Sequence, residues 1–189
     1  STIDAQSIER ATAQFNLASG RSLDASAENY AIYPYFQAKL ADIRGGSQGN
    51  RTIKLSLPEQ TLSDGQTMAM PLLVGKWSDN AFVMHNPLLV VRLNLTLPAE
   101  QSALNLSRVD VESCNNELLW GSAATFNTAD MALAINAEGG TKRLTLECEG
   151  KTLDSKGLSV SFCIPAAKYA KGLKLKFYFL EGVYQTTIG

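Results

Sequence analysis

The chain has 189 residues, 45% of them hydrophobic, and 17 basic against 18 acidic side chains leave a net charge of −1. A chain this long buries roughly 70% of the surface its unfolded form exposes, so it can build one sizeable domain, or two small sandwiches, without a staple. The charge balance excludes the basic footprint of a nucleic-acid binder and a polybasic patch for anionic lipid. No stretch reaches the roughly 18 apolar residues of a membrane-spanning helix.

Residues 1–29 are rich in Ser, Ala, Thr and Asp and read as an N-terminal segment, with Ile8 to Leu17 a candidate first strand of poor periodicity. The chain opens on Ser1 with no charged start and no apolar h-region, so it carries no visible signal peptide. It is either cytosolic or the mature or trimmed form of an exported protein, and the leading Ser without Met favours trimming.

Residues 30–189 are expected to form one domain. Tyr30 to Phe36 is short and aromatic and contains Pro34, which cannot donate to a ladder, so it belongs at an edge or a strand end. Gln37 to Ile43 reads as a brief helical turn, and residues 45–50 as a flexible turn. Ile53, Leu55 and Leu57 alternate with Lys54 and Ser56 until Pro58 closes the strand. Met70 to Trp77 is a continuous apolar run, as in a strand covered on both sides or crossing between layers.

Phe82 to Met84 and Leu88 to Leu97 read as one long strand interrupted at Asn86-Pro87 by a bulge or kink. Its second half has the clearest pattern: Leu89, Val91, Leu93, Leu95 and Leu97 point one way, Val90, Arg92, Asn94 and Thr96 the other. Val109 and Val111 alternate with charged residues, and Asn115-Asn116 is a plausible hairpin turn into Leu118 to Ala123. Residues 125–141 are weakly patterned. Three further strands are centred on Leu144 to Cys148, Leu158 to Ile164 and Leu173 to Phe179. Strand after strand, with no long helical period between them, predicts an all-β, antiparallel sandwich.

Candidate chemistry is sparse. His85 is the only histidine, and a lone His cannot build a zinc site without carboxylates or thiols at suitable spacing. It reads as a kink or strand-end residue. No nucleophile–base motif, Gly-rich phosphate cradle or metal-ligand spacing is present. Glu147 and Glu149, on one face of a strand, read as solvated. The three cysteines, Cys114, Cys148 and Cys163, match no redox or zinc motif. Cys148 shares the apolar parity of its strand and Cys163 opposes it, so the two leave toward different layers and free thiols are expected. Tyr30, Tyr33, Tyr35, Trp77 and Trp120 are read as packing residues, although exposed aromatics at a sandwich edge can stack on sugar rings. No catalytic, cofactor-binding or metal-ligating residue is therefore expected, and the protein is not expected to be an enzyme.

The order of weak motifs carries a resemblance. YAIYPY (Tyr30 to Tyr35) precedes a strand ending in LP-x-Q (Ile53 to Gln60), then MPLLVG (Met70 to Gly75) and HNPLLVVRLNLTL (His85 to Leu97). VDVES, LLWGSA, LTLEC and FCIPAAKYAKGLKLKFYF follow, the last ending at Phe179. Over roughly residues 30–180 this resembles the N-terminal domain of the fimbrillin-like superfamily of secreted bacterial pilin and lipoprotein subunits.

The resemblance implies a transthyretin-like or immunoglobulin-like sandwich of about seven main strands, followed by a second sandwich that this chain, ending at Gly189, is expected to lack. It implies a non-enzymatic adhesion or fimbrial (pilus) assembly protein, extracellular at the cell surface or outer membrane. A lipid anchor would be the only link to the membrane, its cysteine and the signal lying outside this chain. Partners would be other fimbrial subunits or a second copy by strand exchange, and host or bacterial surface ligands or glycans, with no cofactor and no nucleic acid. In some members a protease cuts after an Arg near the first strand, a part for which Arg10 and Arg21 are the candidates. The alternative reading is a glycan-binding surface lipoprotein module.

Overall fold

The computed structural model describes residues 23, 27–33, 43–44, 51–60, 62–63, 66–67, 72–79 and 81–189. Ile8 to Leu17, Arg10, Arg21, Tyr35, residues 37–42 of the turn expected over Gln37 to Ile43, and residues 45–50 lie outside them, whereas Ile43 itself is in a strand. Among the described residues all regular structure is β and every strand pairing is antiparallel. The all-β sandwich expected from the alternation is what the chain forms.

The strands in chain order are β1 (Tyr30–Tyr33), β2 (Ile43–Arg44), β3 (Thr52–Ser56), β4 (Leu62–Ser63), β5 (Gln66–Thr67) and β6 (Leu73–Ser78). They continue with β7 (Ala81–His85), β8 (Leu88–Leu95), β9 (Leu104–Ser113), β10 (Trp120–Gly121), β11 (Ala123–Asn127) and β12 (Ala132–Ile135). The last are β13 (Gly140–Thr141), β14 (Arg143–Leu153), β15 (Leu158–Pro165), β16 (Leu173–Phe179) and β17 (Gly182–Ile188). Two four-stranded sheets, β14-β9-β16-β17 and β12-β11-β3-β2, are accompanied by β1-β6-β7 and by the β15-β8 pair. Short ladders β10-β13 and β4-β5 complete the set.

Register explains why the apolar residues sit where they do. Directly opposed residues share a face, and in the first sheet Leu144, Val111 and Leu175 form one inward row, Leu146, Val109 and Phe177 the next. In the second, Leu133, Phe126 and Ile53 line up, as do Ile135, Ala124 and Leu55. All twelve are buried and belong to a single core cluster. The outward rows of the first sheet set Arg143, Glu112 and Lys174 in line, then Thr145, Asp110 and Lys176, then Glu147, Arg108 and Tyr178. Opposite charges face one another across most of these pairs. Arg143 reaches Glu112 at 2.6 Å and Lys176 reaches it at 3.1 Å. Burial would raise the Glu112 carboxyl, but Lys176 and Arg143 outweigh it and hold it below its ordinary value.

Several details depart from the alternation. Phe82–Met84 and Leu88–Leu97 are not one kinked strand. β7 pairs with β6, whereas β8 pairs with β15. At the break the Asn86 side chain accepts the Leu88 N–H at 2.9 Å, and Pro87, which has no N–H, offers its carbonyl to Ala166. Asn116 does turn in the left-handed region (φ 68°), but β10 beyond it pairs with β13, so β9 makes no hairpin there. Residues 125–141, read as weakly patterned, contribute three strands, because Ala and Thr supply the alternation with little apolar bulk.

Two polar contacts fix the ends of these elements. Gln60, almost fully buried, places its side-chain amide against the Cys163 peptide, donating to the carbonyl at 2.6 Å and accepting the N–H at 2.7 Å. A side chain thus acts as a neighbouring strand's peptide group. In the 113–117 loop the Glu117 carboxylate accepts from the Ser113 hydroxyl, from Asn115 Nδ2 at 3.0 Å and from the Ala170 N–H at 3.3 Å. These donors, Ser113 first, hold the Glu117 carboxyl at about 2.

Replacing Gln60 with Leu is expected to lower stability by about 2 kcal/mol, two hydrogen bonds at roughly 1 kcal/mol each, measured by denaturant unfolding. Because the Glu117 carboxyl is depressed in the fold from an ordinary value of 4.5 to about 2, its stabilisation is complete above its unfolded value and fades as pH falls through that interval. The variant Glu117→Gln is expected to show a shallower loss of stability between those pH values than the parent.

Candidate functional site

The sandwich is not equally covered on all sides. On β15, Val160, Phe162 and Ile164 are at most 1% exposed. Their register partners on β8 are Leu93, Val91 and Leu89. Leu93 and Val91 are only half-buried, and Leu89 is 45% exposed. The opposite face changes in the same way, from buried Cys163 to exposed Val90. Cover is therefore lost within one strand spacing, and among the described residues β8 has no partner on its outer side.

The other layer ends in the same manner. Phe177 is buried, while its neighbour in β17, Tyr184, is 51% exposed. Leu173 is buried and its partner Ile188 is 37% exposed. The Phe179 and Tyr184 rings meet edge to face at 5.7 Å. Gly172 (φ 76°) lets the chain lie against the end of β17, since a Cβ there would meet the Ile188 carbonyl.

These two edges flank one cleft of about 350 Å³. Leu95 and Leu97 line one side, Phe177, Phe179 and Tyr184 another, with Leu104 and Leu153 also contributing. Its walls are mainly apolar, with Asn94, Thr96 and Gln101 supplying polar atoms. What the cleft and the β8 edge offer is backbone N–H and C=O groups, without a second strand partner among the described residues, beside an apolar trough.

The residues singled out in the sequence are placed elsewhere. His85 is exposed at the end of β7, opposite Val74. Among the described residues no group of three or more His, Cys, Asp or Glu is placed to hold a metal ion. Cys114, Cys148 and Cys163 are free thiols, and burial pushes the Cys148 thiol up to about 12. Trp120 is 7% exposed and donates its indole N–H to the Pro58 carbonyl. Trp77 packs edge-on against Phe82, Tyr30 is half-buried and Tyr33 is 43% exposed. A second, more polar cleft lies beside Trp120, with Glu59, Arg143 and Glu147 on its rim.

β17 was not foreseen, although Glu181-Gly182 is a turn signal and Val183 to Ile188 is rich in β-branched residues. No family model and no curated protein matches the chain.

Across one register pair, Phe177→Ala is expected to cost about 3–5 kcal/mol and Tyr184→Ala only about 1 kcal/mol, because the second ring is half in water already. Denaturant unfolding of the two variants measures this asymmetry.

Proposed function

We propose that this is a non-enzymatic adhesion or fimbrial assembly protein of the bacterial cell surface, working by strand addition at the outer edge of β8. The observation that supports it is the loss of cover between β15 and β8 described above. β8 is long, carries Arg92 as its only charged side chain, and contains no proline. It thus lacks most of the devices that protect an edge strand. An added strand would pair with the N–H and C=O groups on its outer side, which have no strand partner among the described residues, and seat alternate side chains over Val91, Leu93 and Leu95 and in the adjoining cleft. The likeness of the motif series from Tyr30 to Phe179 to the fimbrillin-like N-terminal domain supports the same reading. So does the one-sided opening of the sandwich. In that setting the donor would be a strand of another subunit, and the place of work would be extracellular.

The glycan-binding alternative needs aromatic rings aligned on an open face. Among the described residues the exposed aromatic rings are Tyr33 and Tyr184, and they lie on strands of different sheets.

A panel of ten-residue peptides with period-two apolar sequences tests the proposal. At least one is expected to bind at micromolar concentration and to protect the β8 amides from hydrogen exchange. The double variant V91R/L93D is expected to lose that binding. Absence of uptake by every peptide at high micromolar concentration would remove the strand-addition reading.

A further inference from the structure

The sheet β14-β9-β16-β17 ends in a strand with unusual features for an edge. β17 reads GVYQTTI: no charge, no proline, and β-branched or aromatic residues at five of its seven positions. Leu180, Val183, Tyr184 and Ile188, half of the exposed large hydrophobics among the described residues, lie in this hairpin. The one charge at its tip, Glu181, is engaged by the Asn105 backbone N–H at 3.2 Å and side chain at 3.3 Å. The outer edge of β17 has no partner among the described residues.

We propose that this edge pairs antiparallel with the same strand of a second copy, fusing two four-stranded sheets into one eight-stranded sheet across a two-fold axis. The strand's own sequence identifies the occupant. With the axis at Gln185, the middle of the strand, Gln185 faces Gln185 and Tyr184 faces Thr186 of the partner subunit. Val183 likewise faces Thr187 of the partner subunit. Aromatic–β-branched and β-branched pairs are favourable cross-strand neighbours, and no like charges meet, so the strand is complementary to itself as an isologous contact requires. β8 is less suited to meeting its own copy, because Arg92 lies near its middle.

The contact uses the backbone of β17 and not that of β8, although Tyr184 also lines the cleft between the two edges. Seven residues span roughly 24 Å, which places the interface at the small end, below about 1,200 Å². The association is therefore expected to be reversible and concentration-dependent.

Sedimentation of the full 189-residue chain is expected to show monomer near 1 μM and mostly dimer by about 200 μM. Q185K and Q185E each bring like charges together on the axis and are expected to stay monomeric. Mixing the two is expected to restore a heterodimer, a rescue that a folding defect would not give. V90K, on the β8 edge, is expected to dimerise like the parent while blocking peptide uptake there. A parent chain that stays monomeric throughout would overturn the proposal. So would a dimer insensitive to Q185K, a mixture without rescue, or a dimer abolished by V90K.

Discussion

The fold depends on one constraint: two pleated layers must cover each other's apolar rows. In the first sheet those rows run from β14 through β9 to β16 and continue in register onto β17. The backbone pairing thus extends one strand further than the apolar cover. β8 shows the same mismatch beside β15. Hydrogen bonding along a ladder continues wherever a strand can be found, but burial requires matter on the facing side. Among the described residues the open flank, the apolar cleft and the two unpartnered edges arise from that difference.

The outer face of the first sheet is arranged on another principle. Its cross-strand rows place acids beside bases, with Arg108 lying 4.0 Å over the Tyr178 ring. Asp110 is only 1% exposed there, next to Arg108 at 3.2 Å. Long cationic side chains laid across the sheet cover part of it. This face carries ion pairs laid across its strands, in contrast with the flank at β8 and β17.

Much of the fold could be read from residue spacing. Val109, Val111, Leu144, Leu146, Leu173, Leu175 and Phe177 are bulky, strictly alternating and buried as the pattern requires. The alternation of Leu89 to Leu97 has a similar signal, but it could not show how little lies above that face. Periodicity reports which way a side chain points and carries no information on what another strand brings to meet it. Nor could the spacing show that Asn86-Pro87 carries the chain from one sheet to another. β11 and β12 were obscured by small residues, and β17 by polar threonines on a strand that buries little. The bare edges are negative features, and no motif marks them.

The pairing of the Gln60 side chain with Cys163 has a consequence for how the protein is made. The two residues are 103 positions apart, and much of the sandwich is equally non-local, as in the pairing of β3 with β11. Contacts of that separation form late and slowly. As the polypeptide leaves the ribosome, the strand containing Val160, Phe162 and Ile164 is synthesised long after its glutamine stopper. Until the two meet, the backbone of that apolar stretch lacks the glutamine that caps it in the finished fold.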